Sequence, residues 1–397
     1  MHLISFLGRV PKNQGKYRTT QYKFENGDET EPVSFIGWSL IKRINPEHIV
    51  ILGTKGSMWD HLLETINNNI LEKIDEKLSM ELLDQVDKKN VTQQLLDQLA
   101  PYFESYLKKS CDLVIIPYGK TAPEQIEIME VIEQYIPEKS EVSIDITHGF
   151  RHLPMLGLIS AQYLRRIKNV DIHSIYYGMF DPDLGIGEVY NLKGLLQLDD
   201  WVYALAQFDK DGDYSVFAKP LEQDQFSKTG IASLKKAAYY ERTFNVSQAR
   251  QCLNTFKQKL GDKLPAAGQL FSKSLKKRIE WSNSDNLLTH QRHLAHFYLN
   301  NGDPVRAAIF GLEAFITSLL YDTENQYDYD DRKTAIDEFK AQKRGDRKQN
   351  SAFKDLNNIR NAMAHGSKAA NKKYRTILNE PEKLDTKLHQ LFKELKI

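Results

Sequence analysis

Near the carboxyl end, Asn358-Ile359-Arg360-Asn361-Ala362-Met363-Ala364-His365-Gly366 sets an arginine and a histidine five residues apart. A guanidinium is a permanent cation suited to phosphate, and an imidazole exchanges protons near neutral pH. Such a pair can cleave RNA without a metal. The ribose 2′-hydroxyl attacks the adjacent phosphorus, His365 moves a proton, and Arg360 stabilises the crowded negative charge. On a regular helix, residues five apart diverge by about 140°, whereas Asn361 and His365 share a face. One copy is therefore expected to be incomplete until a second subunit joins it. Spacing alone is weak: Arg43 and His48 repeat it, but Pro46 breaks any helix between them and an apolar strand follows.

A second set of residues suits phosphate binding. Short apolar runs end at Leu7-Gly8-Arg9, at Gly53-Thr54-Lys55-Gly56-Ser57-Met58-Trp59, at Pro117-Tyr118-Gly119-Lys120 and at Asp145-Ile146-Thr147-His148-Gly149-Phe150-Arg151-His152. Glycines admit close backbone approach, hydroxyls donate, and a helix start carries partial positive charge. Trp59 and Phe150 are candidates to stack on bases. Neither the dinucleotide fingerprint nor the triphosphate loop is present. His148 by itself says little, since many such histidines satisfy a local backbone group.

These residues need elements to hold them. The stretches 2–8, 48–54, 111–119, 142–149 and 170–178 are strand-like, and amphipathic segments at 58–74, 123–136 and 151–167 lie between them. That alternation predicts a doubly wound, parallel α/β sheet. A β-hairpin turning at 25–28 is expected after the first strand. The sheet signal stops near Leu198; polar residues 209–223 read as a connector, and only helical patterns follow. The acidic run 321–334 reads as an exposed loop. The expectation is α/β plus all-α: an N-terminal Rossmann-like domain at 1–208, a connector at 209–223 and a helical domain at 224–397.

Composition narrows the class. Two cysteines, Cys111 and Cys252, are too few and too far apart for a disulfide framework or a zinc site. No run is long and apolar enough to span a membrane, and no secretory signal opens the chain, so a cytoplasmic protein with no metal and no membrane partner is expected. The formal charge of +1 conceals an asymmetry: residues 1–221 hold 23 basic and 32 acidic side chains, residues 222–397 hold 31 and 21. The basic half is the candidate for polyanion contact.

Taken together, the two motifs resemble a known family. The Asp-Ile-Thr-His-Gly-Phe-Arg-His-Leu-Pro stretch at 145–154 resembles the nucleotide-sensing Rossmann-like domain of CRISPR-associated proteins, called CARF. The Arg360–His365 segment resembles the signature of HEPN ribonucleases. Their order resembles the CARF–HEPN accessory ribonucleases of type III CRISPR systems, over essentially the whole chain. That resemblance implies a homodimer, or a higher homo-oligomer, whose CARF pair binds cyclic oligoadenylate and whose HEPN pair then cuts single-stranded RNA, with no cofactor. Cyclic tetra-adenylate is the ring size expected from prevalence in that family. It implies ligand contacts at Gly8, Arg9, Thr54, Lys55, Gly56, Ser57, Met58, Trp59, Thr147, His148, Gly149, Phe150 and Arg151. The strand-end reading adds Gly53, Tyr118 and Gly119. Arg360, Asn361 and His365 match the nuclease motif, and Thr54, Ser57 and His148 are candidates for slow cleavage of the activator. Two other readings stay open: a ligand-responsive regulator without catalysis, and a HEPN ribonuclease toxin with a different activator.

Overall fold

The computed structural model describes residues 1–65, 72, 74–150, 152–181, 185–261, 264, 266–284, 286–320, 328–341, 347–365 and 372–397. It divides into two compact units, Met1–Leu196 and Gln197–Ile397. Among the described residues no helix is long and apolar enough to cross a membrane.

The first unit is built on a seven-stranded sheet of order β4-β9-β8-β7-β1-β5-β6. The strands are β1 (His2–Leu7), β4 (Gln21–Phe24), β5 (His48–Gly53), β6 (Ser110–Ile115), β7 (Glu141–Asp145), β8 (Asp171–Asp181) and β9 (Ile186–Asn191); β2 (Lys12–Asn13) and β3 (Lys16–Tyr17) make a separate small hairpin. All neighbours in the sheet run parallel except β8 and β9. The continuous apolar runs are explained by burial on both faces. Alternate residues divide between two cores: Leu3, Leu7, Ile49 and Ile51 enter one, and Ile4, Phe6, Val50 and Leu52 the other. Helices α1 (Gly37–Ile44), α2 (Asp60–Thr65), α3 (Glu76–Asp87), α4 (Gln93–Leu107), α5 (Ala122–Tyr135) and α6 (Leu153–Ile167) complete the α/β alternation.

The sheet changes direction at β1. Strand β5 lies on one side of it and β7 on the other, so the connections after β1, β5 and β7 diverge and leave a crevice at their carboxyl ends. The hairpin expected at 25–28 is reduced to two antiparallel bridges, Thr20–Val33 and Lys23–Glu29. Its first arm is instead β4, paired in parallel with β9, and its second arm runs into α1. Buried Tyr22 and Phe24 alternate as a strand should, but their partner strand lies far along the chain.

The second unit is helical: α7 (Gly194–Asp211, in which the boundary falls), α8 (Ala218–Gln223), α9 (Lys228–Arg242), α10 (Val246–Leu260), α11 (Ser272–Arg278), α12 (Leu287–Asn300), α13 (Pro304–Leu319), α14 (Tyr329–Ala341), α15 (Arg347–His365), α16 (Lys372–Leu378) and α17 (Pro381–Leu395). Residues 209–223 are not a connector. Tyr214, Phe217, Ala218 and Leu221 are fully packed into the helical core, and a polar composition hides their period. Nor is 321–334 wholly a loop: from Tyr329 it is helix, with Asp330 and Asp331 in the first turn, where the helix dipole favours acids. Residues 321–327 lie outside the described residues.

One buried group ties this unit to pH. Glu241 of α9 is 2% exposed and accepts a hydrogen bond from the Tyr298 hydroxyl. Burial pushes its carboxyl up to about 7, against the opposing pull of Tyr298, Tyr214 and Arg306. The folded state thus holds a proton that the unfolded chain releases at lower pH. The stabilisation is complete below the unfolded carboxyl range and is gone once the pH passes about 7. At about 1.4 kcal/mol per unit, the span is on the order of 3 kcal/mol. Denaturant unfolding at pH 5 and pH 8 should show Glu241→Gln losing less stability than the parent over that interval; equal losses would refute the assignment.

Candidate functional site

The crevice at the β1–β7 switch holds a small cavity of about 120 Å³ lined by Leu7, Gly8, Arg9, Thr54, Gly56, Ser57, Gly149, Phe150 and Leu153. Two backbones nearly touch there. A Cβ on Gly8 would lie 2.3 Å from the Gly149 nitrogen, and Gly149 itself has φ +116°, where other residues are strained. The Gly8 carbonyl accepts from the Met58 amide at 3.0 Å, which draws the loop after β5 against the loop after β1. Within that loop the Ser57 hydroxyl accepts from the Thr54 amide at 2.9 Å and lies 3.3 Å from the Thr54 hydroxyl.

An aromatic rim borders the cavity. Phe150 is half exposed, with its ring 5.7 Å from Tyr118 and stacked 5.9 Å from His152. His152 Nε2 makes a 2.7 Å hydrogen bond to the Tyr118 carbonyl oxygen, and Lys120 lies 5.1 Å over the Tyr118 ring. Gly119 has φ +70° and lets that imidazole approach. Arg9, Lys55 and Lys120 are exposed on the strand-end loops, so cations gather at the crevice although the N-terminal half is acidic overall.

Several sequence candidates take other places. Met58 and Trp59 are 0% exposed, and the Trp59 indole donates to the Thr54 carbonyl at 2.9 Å, so Trp59 braces the loop from the core and offers no stacking face. Gly53 makes room for that indole. The Thr147 hydroxyl accepts from the Gly178 amide at 2.8 Å and latches the loop to β8. His148 accepts from the Ile36 amide at 3.2 Å, and burial, reinforced by His61, pushes it down to about 4. It is a neutral acceptor for one backbone group. Arg151 lies outside the described residues. Gly56, within the Thr54–Trp59 span expected to meet the ligand, lines the cavity, while Leu153, Lys120 and His152 were missed as individual candidates; the aromatic-x-His pattern at 150–152 was the available signal.

In the second unit, α15 carries the other motif to its last residue. Leu356 and Ile359 are buried, Arg360 and Asn361 are half-buried, and His365 is exposed. Asn361 and His365 fall one turn apart on one face, with Arg360 turned away from them. Arg360 Nη2 donates to Asn357 Oδ1 at 3.2 Å, while its Nε is buried with no partner among the described residues. Gly366 lies outside them.

Residues 2–181 match the family model described as "CRISPR system endoribonuclease Csx1, CARF domain". The first unit is a CARF domain. The chain is also 27% identical over 282 residues to "CRISPR-associated protein MJ1674" of Methanocaldococcus jannaschii, an alignment covering 66% of this chain and 44% of that protein. The chain thus spans less than half the length of that curated relative. The CARF match contains the crevice, its aromatic rim and every residue lining the cavity, and it ends before the helical unit.

Proposed function

We propose that this chain is an accessory endoribonuclease of type III CRISPR defence, in which cyclic oligoadenylate bound by the CARF domain switches on cleavage of single-stranded RNA by a helical HEPN unit. The reading is carried by one juxtaposition: a CARF domain shares its chain with a helix that sets Asn361 and His365 on one face and turns Arg360 away from them. The 2′-hydroxyl attacks the neighbouring phosphorus, His365 moves its proton, and a guanidinium steadies the charge.

Two copies are needed at both ends. A cavity of about 120 Å³ is far below the roughly 300 Å³ or more that a bound small molecule fills. A ring of nucleotides with two-fold symmetry fits two such crevices facing each other. At the nuclease end, the turn between Arg360 and His365 is bridged when a second motif supplies the missing side. The ring activates only through its greater affinity for the cutting arrangement.

The deciding assay adds cyclic oligoadenylates of different ring size to the purified chain with single-stranded RNA in EDTA. Cleavage should require a ring, with cyclic tetra-adenylate the most effective. Binding of RNA without turnover would replace the reading with a regulator. Cleavage that ignores every ring would point instead to a toxin with another activator.

A further inference from the structure

Helix α16 follows the nuclease motif, and its sequence Lys372-Lys373-Tyr374-Arg375-Thr376-Ile377-Leu378 divides cleanly. Tyr374, Ile377 and Leu378 pack against the helical core, while Lys372, Lys373 and Arg375 are exposed. Side-chain bonds pin this helix to α15. Asp355, 6% exposed, accepts from Lys373 Nζ at 2.9 and 2.8 Å and from the Tyr374 hydroxyl at 2.8 Å, with Lys387 Nζ 3.3 Å away. The Tyr374 hydroxyl in turn accepts from Asn358 Nδ2 at 3.0 Å.

The polarity of this chain of bonds follows from charge. Burial alone would raise the Asp355 carboxyl, but the bonds from Lys373, Tyr374 and Lys387 outweigh it and hold it low, so it is a carboxylate that only accepts. Tyr374, whose phenol is held above its ordinary range mainly by burial, must therefore donate to it and accept from Asn358. Asn358 has to offer its amino group inward, and its amide oxygen takes no hydrogen bond among the described residues. Asn358 is exposed, one turn before Asn361 and two before His365, within the same stripe of α15.

We infer that Asn358 and α16 form a subsite for a nucleotide flanking the cleaved bond, in which the fixed Asn358 amide reads the base and Lys372 and Arg375 hold the backbone phosphate. This rests on the ribonuclease reading and adds to it the residues that grip the strand. Lys373 and Lys387 neutralise Asp355, so this buried acid does not repel the phosphate. Tyr374 is a positioning residue: it sets which way the amide faces and touches no RNA.

The test compares activator-stimulated cleavage of short single-stranded RNAs that differ in one nucleotide beside the cut. The parent should prefer one base there, and Asn358→Ala and Tyr374→Phe should both flatten that preference, by about three- to tenfold, as the loss of one oriented hydrogen bond predicts. Lys372→Ala and Arg375→Ala should instead raise KM equally for every sequence, leave kcat, and lower the salt slope of binding by about one phosphate contact each. Binding of the same RNAs to His365→Ala, measured in parallel, retains the subsite without catalysis. If that chain discriminates and Asn358→Ala in its background does not, the subsite stands even where no cleavage is seen and only the ribonuclease reading falls. An unchanged base preference in both Asn358→Ala and Tyr374→Phe, or an unchanged salt slope in both cation variants, overturns the inference.

Discussion

His365→Ala should lower ring-stimulated RNA cleavage by about a hundred- to ten-thousandfold, the usual contribution of a positioned proton-transfer group. RNA and activator binding should hardly change. The side chain is exposed at the last turn of α15, so its removal leaves no cavity and should shift stability by no more than about 0.5 kcal/mol. That contrast makes the variant informative: a folded, ligand-binding chain that no longer cuts. Arg360→Ala is a less clean probe, because this half-buried guanidinium also bonds Asn357 and its loss disturbs the helix. Rates are best read under single-turnover conditions, where RNA capture does not mask chemistry. Cleavage by His365→Ala within a few-fold of the parent would mean that the motif is not the active site.

Gly8→Ala should abolish the response to the ring. The new methyl would sit 2.3 Å from the Gly149 nitrogen and 2.9 Å from its Cα, and both are backbone atoms that cannot rotate away. The loops after β1 and β7 must part, at a cost of about 1–3 kcal/mol as for other overpacked sites. The cavity they line is then deformed. Gly194→Ala is the matched control, since nothing lies within 4 Å of the added carbon. Thermal unfolding separates the two effects. Gly8→Ala should melt lower than the parent and gain no ring-induced stabilisation, whereas Gly194→Ala should gain as much as the parent. A full ring-induced shift in Gly8→Ala would remove the crevice from consideration as the activator site.

The central strands could be read from the chain because two-sided burial writes them as unbroken apolar runs, as in His48–Gly53. Strand β4 was legible as a strand but not in its pairing, since Gln21–Phe24 meets Ile186–Val189 and nothing local encodes that distance. Residues 209–223 misled for another reason: charged neighbours surround Tyr214, Phe217 and Leu221, and the burial of those three depends on helices that come later. At the site, residue types marked the right loops, but side-chain direction was invisible. Thr147 and His148 stand next to the cavity-lining Gly149, yet they turn to Gly178 and Ile36, each serving a backbone amide. The Asn358–Tyr374 bond was hidden for the same reason, as its meaning depends on a carboxylate three residues upstream of the motif.

The bond from His152 to the Tyr118 carbonyl joins the loop after β6 to the first turn of α6, and Phe150 stands between the two rings. The rim of the crevice is therefore one hinged piece instead of two independent lips. An insertion after Gly119 that releases the imidazole also unseats Phe150 and frays the start of α6. Crevice width is consequently inherited as a unit: a descendant of this protein that takes a larger or smaller ligand must rework both loops together.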